Sequence, residues 1–142
     1  MTQSEILLER STEGRTQWRQ RIYHDGRVED YTDRDLNFEN DDFVEIRIPL
    51  KWRERTVLLP AEIDELIEVV HSSGFFDLPD SLTVEGRLFD ASVTTWTANL
   101  PEGQKTVVAV GRHATEEPAI KLLRETITRL TAGAYRRDAG TE

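Results

Sequence analysis

The chain has 142 residues, a formal net charge of −9 and no cysteine, which excludes disulfide frameworks, thiolate metal centres and cysteine nucleophiles. A chain of this size buries about 68% of the surface that its unfolded form exposes, so one apolar core suffices. No apolar stretch approaches the length needed to cross a bilayer, and Met1 to Arg15 shows no basic segment followed by a long apolar run, so the sequence reads as cytoplasmic.

Glu5 to Glu9 is a short apolar strand. Thr16 to Tyr23 alternates, with Trp18, Gln20 and Ile22 on one face and Gln17, Arg19, Arg21 and Tyr23 on the other, which predicts a second strand after a loop at Ser11 to Arg15. His24-Asp25-Gly26 reads as a type I′ hairpin turn, and Arg27 to Thr32 as the returning strand. An acidic loop at 33–42 follows. The interval Asp25 to Glu45 holds nine acids against two arginines, a local charge of −7 that leaves the rest of the chain at −2. The overall field therefore gives no help to binding nucleic acid or an anionic membrane.

Phe43 to Trp52 places Val44, Ile46, Ile48, Leu50 and Trp52 on one strand face, with Pro49 marking an edge or bulge. Arg55 to Leu59 is a further short strand. Pro60 suits the first turn of a helix whose apolar stripe is Ile63, Leu66, Ile67 and Val70, and Gly74 ends it ahead of Phe75, Phe76, Leu78 and Pro79. Ala91 to Asn99 and Lys105 to Gly111 form a hairpin joined by Leu100 to Gln104. Thr115 offers an N-cap for a last helix carrying Ile120, Leu123, Ile127 and Leu130, expected to end near Gly133. The fold class is α+β. One domain spans 1–134, its antiparallel sheet carrying both helices on one face, and 135–142 form a frayed polar tail.

The strand pair IYHDGRVEDY, the helix exit SSGFFDLPDS, Asp90 ahead of a hairpin and the final LLRETITRL resemble a family of uncharacterised bacterial domains with an F-F-x-L-x-D helix exit. Glu9-Arg10-Ser11 at the end of a strand is similar to the opening of emfourin, the family of proteinaceous inhibitors of thermolysin-like metallopeptidases. The layout agrees over residues 4 to 131. Thr12-Glu13-Gly14 stand where emfourin-like sequences have a glycine pair and a phenylalanine, and Leu82 where the other family has tyrosine. The resemblance implies the architecture and a peptidase-inhibiting form of binding, and it assigns no functional residue.

Asp33, Asp35, Asn37, Glu39 and Asp41 place oxygen ligands at alternate positions, as in a calcium loop of the EF-hand type. Phe38 stands where that loop needs glycine and Val44 where it needs a bidentate glutamate, so a solvated, self-repelling loop is the competing reading. His24, His71 and His113 lack any spacing that preorganises zinc; His71 suits a helix C-terminus. Asp77 and Asp80 fit Asx-turn roles. Walker, G-x-G-x-x-G, G-x-S-x-G and H-E-x-x-H motifs are missing, and no catalytic residue is nominated. Arg19, Arg21, Tyr23, Arg47, Lys51 and Arg53 are expected on the outer sheet face, a basic, aromatic-bearing surface next to the acidic segment. A surface of mixed sign favours a protein partner over single-stranded nucleic acid. The expectation is a small noncatalytic interaction domain; the alternative is a cation-dependent or hydrolytic enzyme using residues 33–45.

Overall fold

A computed structural model of the protein describes residues 5–13, 18–39, 42–83, 93–110 and 117–140. The order is β1 (Ile6–Glu13), β2 (Trp18–Tyr23), β3 (Arg27–Glu39), β4 (Asp42–Val57), α1 (Pro60–Ser72), β5 (Ser81–Thr83), β6 (Val93–Leu100), β7 (Gly103–Val110) and α2 (Pro118–Gly140). One seven-stranded sheet runs β4-β3-β2-β1-β6-β7-β5. Its pairs are antiparallel except β5 with β7, which is parallel. The fold is thus α+β with a mostly antiparallel sheet, and β5 is a strand that periodicity over three residues does not reveal.

Directly paired residues share a face, so the register separates the two sides of the sheet. Leu8 opposes both Ile22 and Ala98, Ile22 opposes Val28, and Trp96 opposes Val107. These residues form one buried cluster with Ile63, Leu66 and Val70 of α1 and Ile120, Leu123, Ile127, Leu130 and Ala134 of α2. Both helices therefore lie on one face. A register shift between Ile6 and Leu8 lets Leu7 and Leu8 both enter the core, as a β-bulge does when two residues oppose one.

The β2–β3 connection is a three-residue loop, not the two-residue type I′ turn expected. Gly26 N–H donates to Tyr23 C=O at 2.9 Å, and Gly26 adopts φ +100°. Asp25 Oδ1 accepts the Arg27 N–H. The β6–β7 turn is tighter than expected, because Leu100 pairs with Gly103 and leaves two residues between them. At α1, Glu62 Oε1 accepts the Leu59 N–H at 2.8 Å, and Pro60 opens the helix. Gly74 at φ +87° follows it and sends Phe75 into the core, with Leu78 extended before Pro79.

Two larger expectations are corrected. The acidic segment is not a loop. β3 runs on to Glu39 and β4 begins at Asp42, with Arg34↔Arg47, Leu36↔Glu45 and Phe38↔Phe43 in register. Cross-strand backbone pairing with the β-branched and aromatic residues of β4 outweighs the local acidity of β3. Among the described residues β2 pairs with β3 only as far as Tyr31, so the β3–β4 ribbon continues about 27 Å past it at 3.4 Å per residue. The tail is not frayed either, since α2 runs through Gly133 to Gly140. Its last turns are tied to β4 and α1: Thr56 donates to Asp138 Oδ2 at 2.6 Å, and Arg137 reaches Val57 C=O at 3.0 Å and Glu62 at 3.1 Å. Those contacts outweigh the roughly 1 kcal/mol that glycine costs inside a helix.

Candidate functional site

The sheet face opposite the helices carries Arg19, Arg21 and Tyr23 of β2, as the alternation of that strand predicts. Arg19 opposes Tyr31, and Tyr31 opposes Trp52, so Arg19, Tyr31 and Trp52 form a contiguous row beside Arg21. The Arg21 guanidinium lies 4.0 Å from the Trp52 ring centroid and that of Arg19 5.5 Å. Tyr31 and Trp52 have centroids 5.3 Å apart. Glu9 of β1 ties both cations down, with Arg21 Nε at 2.5 Å and Arg19 Nη2 at 3.4 Å. Burial works against the Arg21 charge, but the hydrogen bond and charge of Glu9 prevail and hold its pKa above the ordinary value. Tyr23 donates to Glu29 Oε1 at 2.6 Å, Arg27 stacks 4.3 Å from its ring centroid, and burial together with Glu29 pushes the phenol up. Beside Arg21 and Tyr23 an open depression of about 760 Å³ extends to Asn99 and Gln104 at the β6–β7 turn.

Two further residues of the expected basic surface are not on this face. Lys51 and Arg53 flank Trp52 and oppose Thr32 and Asp30, which puts them on the helix side; two register shifts between β3 and β4 change the phase that a continuous alternation implies. Arg47 pairs with Arg34 in the outer ribbon. Trp52, assigned by its alternation to the apolar stripe with Val44 to Leu50, instead belongs to the arginine cluster. Tyr31 and Glu9 complete the cluster; no sequence pattern assigns either residue this role, and only their cross-strand partners reveal it.

Asp33, Asp35, Asn37 and Glu39 lie along β3, and Asp41 is outside the described residues. Alternate positions of a strand stand about 7 Å apart, whereas a calcium loop gathers its oxygens within about 2.6 Å of one ion. The extended backbone is thus not the loop that reading requires. His24 Nε2 sits 3.0 Å from Asn99 C=O, His71 stands in the last turn of α1 as expected with its Nε2 2.8 Å from Glu102, and His113 is outside the described residues. Asp80 pairs with Lys105 at 3.0 Å, a cross-element ion pair in place of an Asx turn. Asp77 closes the short 3₁₀ turn Phe75–Asp77, where its backbone N–H donates to Gly74 C=O at 3.0 Å.

A second polar constellation, invisible to motif reading, crosses the helix side of the sheet. Trp96, Arg10, Gln20, Asp30 and Arg53 stand in one row, each opposite the next. Arg10 Nε donates to Gln20 Oε1 and Gln20 Nε2 to Asp30 Oδ1, both at 3.0 Å, and Arg55 Nε lies 3.6 Å from Asp30 Oδ2. Arg10 sits between two indoles, 4.6 Å from the centroid of Trp18 and 5.4 Å from that of Trp96. Burial lowers its pKa to about 10, with Asp30 opposing and Arg124 adding to the fall. Burial likewise raises the Asp30 carboxyl despite Gln20, Arg55 and Arg10.

No family model matches the sequence, and no curated protein or solved structure is significantly similar to it. The class rests on the molecule itself: an α+β domain with helices on one sheet face and an arginine–aromatic cluster on the other. Among the described residues no helix is long and apolar enough to cross a membrane.

Proposed function

We infer that this chain is a small noncatalytic interaction domain, acting in the cytoplasm, whose docking surface is the open sheet face at Arg19, Arg21, Tyr23, Tyr31 and Trp52. The observation that carries this reading is the stacking of Arg19 and Arg21 on Trp52 on the face away from both helices. Arginine, tyrosine and tryptophan are the residue types enriched where protein partners bind most strongly. Glu9 fixes the two guanidinium groups in advance, so little side-chain entropy remains to be lost on docking. Arg21 also borders the open depression, which gives a partner a concave rim beside a flat aromatic platform. The balance of Glu9 and Glu29 against the arginines favours a protein over a nucleic acid, which would require an excess of positive charge.

Peptidase inhibition is the specific form suggested by the resemblance of Glu9-Arg10-Ser11 to emfourin. Its test is a steady-state assay of a thermolysin-like metallopeptidase against excess protein. Inhibition that is relieved at least tenfold by Trp52→Ala supports it; a fully active peptidase in excess domain rejects that form.

A further inference from the structure

We propose that Arg10 is the centre of a binding site for a small oxyanion, a carboxylate or a phosphate, at the margin between the inner sheet face and α2. This site lies on the opposite side of the sheet from the docking surface and does not rest on that reading. The rings of Trp18 and Trp96, on the two strands that flank β1, lie 4.6 and 5.4 Å from the guanidinium carbon, and Gln20 takes its Nε–H. What remains is the end-on edge formed by Nη1 and Nη2, the geometry with which arginine holds two oxygens of one anion. Among the described residues no side chain receives that edge, and Arg10 keeps partial access to solvent.

Among the described residues, Asp30 is the carboxylate that acts on Arg10. Asp30, two strands away in the same row, is already engaged by Gln20 and Arg55, while Arg124 of α2 adds a second positive charge to the field at Arg10. Trp96 Nε1 is fully buried and has no hydrogen-bond partner, so a donor stands idle on the residue stacked against Arg10. Thr12 and Thr94, paired across β1 and β6 in the next row of this face at 3.5 Å between hydroxyls, supply further donors. A cation held by stacking and one neutral hydrogen bond, beside unspent donors, fits an anionic ligand better than a structural ion pair.

The test uses the full chain and two probes, inorganic phosphate and citrate, titrated at constant ionic strength while the arginine Nε–Hε NMR signals are followed. The expected result is a saturable shift of the Arg10 signal with at least one probe and none at Arg21. The probe that saturates distinguishes a phosphate from a carboxylate ligand. Arg10→Lys, which keeps the charge but loses the planar edge, should weaken that binding at least tenfold, read by the rise in melting temperature with probe. Equal shifts at Arg10 and Arg21, no saturation with either probe, or an unchanged ligand-induced rise in Arg10→Lys would overturn the proposal.

Discussion

Replacing Gly26 by alanine should destabilise the protein far more than the same change at Gly74. Both glycines hold left-handed backbone, φ +100° and +87°, where an L-residue costs about 1–2 kcal/mol. They differ in what a Cβ would meet. At Gly74 nothing lies within 4 Å, whereas at Gly26 the Leu58 carbonyl oxygen would be 2.2 Å away. That oxygen is backbone and cannot swing aside, so the β4 end must move. The move strains or breaks the Leu58 N–H to Gly26 C=O bond of 2.8 Å, worth about 1 kcal/mol net. It also draws Leu58, only 2% exposed, from a core position worth about 1.5–3 kcal/mol. The total for Gly26→Ala is about 4 kcal/mol, a large share of a stability of about 5–15 kcal/mol. Gly74→Ala should lose only the conformational part. Urea denaturation of both variants checks this; equal losses, or a Gly26→Ala loss below about 1 kcal/mol, would refute the argument from close approach.

Leu66, fully buried in α1, should not tolerate aspartate: the lost packing and the unpaired buried charge together unfold the chain, and a cooperative, native-like far-UV melt of Leu66→Asp would contradict the helix's role. Asp30 gives a pH signature. Its folded pKa is raised above 3.8 by burial, so between those values the folded protein keeps a proton that the unfolded chain has lost, and this group's contribution to stability falls as pH rises through that window. Asp30→Asn should therefore gain stability relative to the wild type as pH rises from 3.8 towards neutrality; urea midpoints moving apart in the opposite sense would contradict the burial argument.

The parts legible in the sequence are those fixed by local periodicity. The stripe of Ile63, Leu66 and Val70, the exit at Gly74, and the split of β2 into Trp18-Gln20-Ile22 and Arg19-Arg21-Tyr23 all follow from spacing, and the structure carries them. What was hidden depends on pairing between distant residues. Glu39 and Asp42 look like loop residues until β3 and β4 are set side by side, and Lys51 and Arg53 change faces because two register shifts alter the phase of β4. Gly133 looks like a helix stop until Arg137 and Asp138 find Val57 and Thr56. The row Arg10-Gln20-Asp30 is spaced by tens along the chain, a separation that only an antiparallel meander converts into hydrogen bonds.

The docking surface is tested most directly by site-specific photo-crosslinking in cells of the source organism, with a photoreactive residue in place of Trp52 and, as control, of Glu68 on the solvent side of α1. The expected result is a discrete protein adduct from position 52, competed by excess unmodified protein but not by Arg21→Ala, and no such adduct from position 68. Adducts of equal yield at both positions, or competition undiminished by Arg21→Ala, would contradict the assignment of the arginine–tryptophan face as the binding surface.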